Sequence, residues 1–160
     1  MKTKGRRLRA PEWLQLDNAG KIYPATRSQD WMAIYRLSVT LDEPVDRVLL
    51  GRALQSTLKR LPYFGYRLRR GLFWFYLEQQ DAVPTIQDDA ANPCMPLSRG
   101  RDGHFMFRVR VHEARIAVEI FHVLADATGT MTFLLTLTAE YLRLKHGHRV
   151  PPTPLVLDLR

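Results

Sequence analysis

The chain has 160 residues, 46% of them hydrophobic and 25% charged, which is enough to bury one apolar core and is the composition of an ordinary globular domain. No apolar run approaches the roughly 18 to 20 residues that cross a bilayer, and the basic start Met1-Lys2-Thr3-Lys4-Gly5-Arg6-Arg7 leads into Pro11-Glu12-Trp13 rather than a secretory apolar segment. Cys94 is the single cysteine, which excludes an internal disulfide and fits a reduced, cytoplasmic setting.

In chain order, residues 1 to 13 read as a disordered basic tail, and Leu14 to Tyr23, closed by Pro24, as a short extended piece. Trp31 to Leu41 alternates through Ile34, Tyr35, Leu37, Val39 and Leu41 as a strand does. Pro44 and Asp46 open a helix whose apolar stripe runs through Val48, Leu49, Leu50, Ala53, Leu54, Leu58 and Leu61, and Pro62 ends it. Tyr63 to Arg70 and Leu72 to Glu78, separated by Gly71, predict a β-hairpin rich in aromatics, with Phe73 to Tyr76 alternating between its faces for packing. Asp81 to Gly103 reads as a long loop, because Pro84, Pro93 and Pro96 oppose regular structure over most of it.

Phe105 to His112 and Arg115 to His122 are the clearest strands, joined by a turn at Glu113-Ala114. A second amphipathic helix follows Gly129 through Met131, Leu134, Leu135, Thr138, Tyr141 and Leu142, with Thr128 or Thr130 as the expected N-cap. It ends near His146-Gly147, and Pro151-Pro152-Thr153-Pro154 forbids its continuation. The elements run strand, helix, hairpin, loop, hairpin, helix. The expected fold is therefore α+β, a mixed β-sheet with helices packed on one face.

The net charge of +8 raises nucleic-acid binding as a possibility. Against it, the basic residues are spread over the tail, Lys59-Arg60, Arg67 to Arg70, Arg99 to Arg101 and Arg108-Val109-Arg110, alternating with apolar positions as solvated faces do. An anionic small molecule such as a phosphorylated carrier or cofactor would profit from the same field. His104 and His112 lack a second ligand at a metal-binding spacing, and His146 with His148 flank a capping glycine, so no metal site is expected. Cys94, between prolines and without a basic neighbour in sequence, reads as an incidental thiol.

The stretch Phe121-His122-Val123-Leu124-Ala125-Asp126-Ala127-Thr128-Gly129 carries the most chemistry. Ile116, Val118 and Ile120 share one face of the strand, and period-2 pleating extends that row to His122. A partly desolvated imidazole with a carboxylate nearby, held at the end of a rigid element, suits a general base; a satisfied structural histidine is the other reading of the same pattern.

His122-x-x-x-Asp126-x-x-Gly129 between a strand and a helix resembles the active-site signature of the acyltransferase superfamily that includes chloramphenicol acetyltransferase, condensation domains of nonribosomal peptide synthetases and alcohol acyltransferases. The segments Leu16 to Pro24 and Gly71 to Glu78 are similar to those of bacterial alcohol acetyltransferase-like proteins, and the likeness extends over most of residues 14 to 146. The resemblance implies transfer of an acyl group from a thioester, with acyl-CoA or acyl-phosphopantetheine as co-substrate rather than a resident cofactor, to a small alcohol or amine. His122 would match the general base, and Asp126 the structural residue paired with an arginine, of which Arg27 is a candidate. Thr128 and Gly129 would border the thioester's arm, the glycine allowing close backbone approach.

Two positions depart from the pattern. Ala127 stands where the family usually has glycine, which puts the turn in doubt if positive φ is needed there, and Phe121 stands where condensation domains commonly carry a second histidine. The family's full enzymes have two similar halves around a tunnel, and this chain has the size of the first. Residues 147 to 160 are then expected to lead toward a missing second half, supplied by a longer chain, a partner subunit or a second copy in a homo-oligomer. A non-catalytic interaction domain of the same fold is the alternative function.

Overall fold

The computed structural model describes residues 13–15, 33–72, 75–80, 82–98, 102–147 and 150–158. Of the expected disordered tail over residues 1 to 13 only Trp13 is described, and it is corrected, since it opens a strand; the rest of that tail, most of the extended piece through Tyr23, Arg27 and His148 lie outside the described residues. The strands are β1 (Trp13–Gln15), β2 (Ile34–Thr40), β3 (Tyr66–Arg70), β4 (Phe75–Gln79), β5 (Ile86–Asp88), β6 (Phe107–His112) and β7 (Arg115–Phe121). Helix α1 (Arg47–Arg60) follows β2, a 3-10 turn (Pro62–Gly65) precedes β3, and α2 (Ala127–His146) follows β7.

The alternation in β2, β6 and β7 gives the sheet that carries the site, ordered β2-β7-β6-β5, with β5 parallel to β6 and the other pairs antiparallel. Register sets Tyr35, Leu37 and Val39 opposite Ile120, Val118 and Ile116, and these in turn opposite Phe107, Val109 and Val111. One face is thereby apolar. The hairpin expected from the sequence is present as β3 and β4, except that Tyr63 to Gly65 of its first run belong to the 3-10 turn that begins at Pro62 and that Phe73 and Trp74 lie outside the described residues; with β1 it forms a separate three-stranded sheet. The architecture is α+β, as the pattern of elements implied.

Both helices serve the apolar face. Asp46 caps α1 by accepting from the Val48 and Leu49 amides at 2.8 and 3.0 Å. Of the expected stripe Leu50, Ala53 and Leu54 are buried and Leu49, Leu58 and Leu61 half-buried, whereas Val48 is exposed in the first turn and Thr57, one turn beyond Ala53, takes a buried place instead. From α2, Phe133 stacks on Phe64 with ring centroids 4.2 Å apart and meets the edge of Phe107 at 5.2 Å, so the helix is fixed to β6 through aromatic contacts. The Tyr141 hydroxyl accepts from the Asp46 amide at 2.9 Å and ties the start of α1 to α2. Gly147 takes φ 72° and ends α2, where a left-handed cap costs glycine nothing. Beyond the prolines, the Leu157 amide donates to Thr136 Oγ1 (3.1 Å) and Arg60 Nε donates to the Asp158 carbonyl (3.2 Å), laying this segment back on both helices.

Two further expectations are corrected here. The stretch from Asp81 to Gly103 is not loop throughout, since β5 pairs with β6 within it; a three-residue strand between Pro84 and Pro93 is too short to leave a periodic trace. Arg108 and Arg110 are not on a solvated face either. Both are buried, with Glu119, on the second face of the sheet. Arg108 binds Glu119 Oε2 at 2.6 Å, Arg36 binds Glu119 Oε1 at 3.1 Å and both carboxylate oxygens of Asp89 at 2.7 and 2.6 Å, and Arg115 reaches Asp89 at 2.9 Å. The segment after β5 covers this network, the Met95 carbonyl accepting from Arg108 at 2.6 Å.

Candidate active site at the turn between β7 and α2

β7 ends at Phe121, whose amide donates to the Met106 carbonyl at 2.8 Å, and the chain then turns, with the Leu124 amide donating back to the Phe121 carbonyl at 2.8 Å. His122 is the first residue of that turn. Its amide donates to the Ala33 carbonyl at 2.8 Å, which extends the pairing of β7 with the chain just before β2, and its ring lies 5.0 Å from that of Tyr35 at 49°. Tyr35 stands opposite Ile120 on the helix-facing row, so the imidazole occupies the polar end of the apolar face that alternation predicts. It is half-buried, neither sealed in the core nor fully in water.

Tyr35 also holds the far side of the turn. Its hydroxyl lies 2.9 Å from the Ala125 carbonyl and in close contact with Thr130 Oγ1, which lies 2.8 Å from the Asp126 carbonyl, so the two hydroxyl protons are shared among three contacts. A single residue from β2 therefore packs on the histidine and fixes the first turn of α2. Sequence alternation alone does not single it out. Tyr35 looks like one more apolar position of an alternating strand, and only the β2 to β7 register brings it to the site.

Asp126 is the N-cap of α2, its Oδ1 accepting from the Gly129 amide at 2.7 Å. This corrects the expected cap at Thr128 or Thr130: the helix starts earlier, at Ala127, because a carboxylate placed three residues before an amide is a strong acceptor for an N-terminal N–H. Among the described residues no arginine ion pair involves Asp126. Ala127 is the first helical residue and is not among the described non-glycine residues with positive φ, so alanine sits there without backbone strain.

Gly129 fits tightly. A Cβ on it would lie 3.3 Å from both the Ala125 Cβ and Asp126 Oδ1, so a side chain would press on the cap itself. Its N–H is already engaged by Asp126, which leaves Ala127 and Thr128 as the first-turn amides that helix geometry orphans. Thr128 is exposed, and its carbonyl accepts from Thr132 Oγ1 at 3.0 Å.

The other candidates do not gather at this turn. His104 is exposed with φ 66°, His112 closes β6 opposite Arg115, and His146 Nε2 pairs with Glu43 at 2.6 Å near the end of α2. Burial first, and then the Glu119 carboxylate, push the Cys94 thiol up, which suits an unreactive sulfur. Among the described residues no group of three His, Cys, Asp or Glu is placed to hold a metal ion, and no helix is long and apolar enough to cross a membrane.

Neither a protein-family model nor a curated protein matches the sequence. Solved structures do. The starter condensation domain of rhizomide synthetase RzmA is 11% identical, with a TM-score of 0.69 over 88% of this chain and 40% of that one. The X-domain from teicoplanin biosynthesis, solved in complex with OxyB, is 16% identical with a TM-score of 0.67 over 94% and 37%. The first condensation domain of the calcium-dependent antibiotic synthetase, solved with a substrate analogue, is 17% identical with a TM-score of 0.62 over 87% and 39%. The chain thus has the fold of part of a condensation domain, and it spans about two fifths of the length of the structures it matches.

Proposed function

We propose that the chain forms one wall of an acyl-thioester-dependent acyltransferase in which His122 is the general base. The observation that carries this reading is the placement of His122: a half-buried imidazole at the end of a central strand, packed on Tyr35, at a turn that Asp126 and Tyr35 clamp from both sides. That is a rigid support for a proton-transferring group, and the condensation-domain fold is compatible with it.

The chemistry follows from the group. The acceptor's hydroxyl or amine attacks the thioester carbonyl carbon while the imidazole takes its proton; the tetrahedral oxyanion collapses, the carbon–sulfur bond breaks, and the leaving thiolate receives the proton held on His122. Thr128 and Gly129 border the path of the donor's pantetheine arm, whether acyl-CoA or acyl-phosphopantetheine. Asp126 acts at one remove, holding the helix start. The acceptor side and the remainder of the cleft are contributed by a second half or partner subunit.

The test uses the protein together with the half or partner that completes it, with acyl-CoA and an alcohol or amine, and follows free thiol. His122→Ala is expected to lower the rate by about 10²- to 10⁴-fold, the usual contribution of a general base, with folding unchanged. An unchanged rate overturns the assignment. A second reading, a non-catalytic docking domain, is favoured by one observation, that the X-domain it resembles over 94% of this chain is found in complex with another protein. Thiol release that depends on His122 contradicts it.

A further inference from the structure

At the start of β5 and β6 a cleft of about 190 Å³ opens between Val83, Gln87, Asp102, Phe105, Phe107 and Arg108, and none of His122, Asp126, Thr128 and Gly129 lines it. A dry cavity of about 150 Å³ already accepts benzene, so this volume suits a molecule with one small ring or a branched chain. Phe105, Phe107 and Val83 supply the apolar wall. The polar wall is built from Asp102 and Arg108, which are 5% and 2% exposed.

Their hydrogen bonds leave a gap. Arg108 spends Nε and Nη2 on Glu119 Oε2 and on the Met95 carbonyl, each at 2.6 Å. Its Nη1 faces Asp102 Oδ2 across 3.7 Å, beyond hydrogen-bond reach. Asp102 is itself fixed by the Ser98 amide at 2.6 Å and by Gln87 Nε2 at 2.9 Å, so it is not placed to close on the guanidinium. A group that fills the gap must accept from Nη1 and donate to Oδ2 at once. A hydroxyl does both. Because the facing cation and anion balance, an ionic head would set its charge against one of them without relief.

We propose that this cleft binds a small neutral alcohol with an aromatic or branched body, its hydroxyl bridging Arg108 and Asp102 and its body lying on Phe105, Phe107 and Val83. The site is separate from the His122 turn and does not rest on acyl transfer. Its test is binding, without turnover, so failure of one proposal leaves the other standing.

Benzyl alcohol, toluene, benzoate and benzylamine are titrated into the 160-residue protein while backbone amide shifts are followed by NMR. Benzyl alcohol is expected to give saturable shifts at Gln87, Asp102, Phe105 and Arg108 in the millimolar range, with the other three probes about tenfold weaker or more. Arg108 variants risk the fold, so the mutational arm uses Val83→Trp, at a position that is 48% exposed and outside the ion network. It should melt like the parent and lose at least tenfold in affinity for benzyl alcohol. Equal affinity for toluene or either ion, no saturable shift at these residues, which would mean that water alone fills the gap, or full affinity in Val83→Trp each overturns the proposal.

Discussion

The two faces of β6 and β7 are buried by different means. On the helix side, Phe107, Val109, Ile116, Val118 and Ile120 meet aromatic and aliphatic side chains of α1 and α2, and complementarity of shape is the only requirement. On the other side, Arg36, Arg108 and Arg110 converge with Asp89, Asp102 and Glu119 under the segment that follows β5. There every charge needs a partner, because a carboxylate or guanidinium removed from water is costly unless paired and hydrogen-bonded. The apolar face tolerates adjustment in small increments, whereas the charged face stands or falls as a network.

The sharpest way to break this contrast is to remove one element from each side. Glu119 is fully buried and joins three arginines, so Glu119→Ala is expected to cost about 3–5 kcal/mol by leaving buried cations unpaired. Phe133→Ala, which leaves a void beside Phe64 and Phe107, should cost a similar amount, about 3–5 kcal/mol. Their partners distinguish them. Replacing Arg108 by Met in the Glu119→Ala background should recover part of the loss, while the same replacement added to Phe133→Ala should deepen it. Denaturant unfolding of the four variants checks the pattern, and additive losses in both backgrounds would mean that the arginines reach water.

The same contrast decides what was legible in the sequence. The apolar face was, because Ile116, Val118 and Ile120 alternate and Leu50, Ala53 and Leu54 repeat with helical period, and both patterns are local. The charged face was not. Arg108-Val109-Arg110 has the same alternation whether its arginines meet water or Glu119, and the pairing is settled only by the β6 to β7 register. At the site, the motif located His122, Asp126 and Gly129 on one turn, since these are close in sequence. Tyr35 stayed hidden because it reaches the turn from β2, and the Asp126 cap was misplaced onto Thr128 or Thr130 because several good capping residues stand side by side.

Acid should separate the two faces next. The Arg36 guanidinium bonded to both oxygens of Asp89 holds that carboxyl well below the usual carboxylate range, with the Ala90 amide and Arg115 acting in the same direction and burial opposing them. A carboxyl depressed in the folded state binds fewer protons there than in the unfolded chain. Its contribution is therefore present above the ordinary carboxylate pKa, about 4, and is lost as pH falls below it. Asp89→Asn is expected to cost about 1–3 kcal/mol at neutral pH and to flatten the decline in stability below about pH 4, as read from unfolding curves at stepped pH. An unchanged slope in the variant would place the acid sensitivity elsewhere.

The smallest effect bears most directly on the candidate site. If Asp126 acts as the cap of α2, what matters is an acceptor atom in reach of the Gly129 amide at 2.7 Å, and charge is secondary. Asp126→Ala should then cost about 1 kcal/mol, and Asp126→Asn should keep most of that stability, because asparagine caps about as well as aspartate. An ion pair between Asp126 and an arginine would behave otherwise, with Asn and Ala equally damaging because neither carries charge. Thermal unfolding of the two variants separates these cases. The result also tells how His122 is held: a cap that survives Asn means that the turn carrying the imidazole is set by hydrogen bonds from Tyr35 and Asp126 within this chain, and needs no arginine to form.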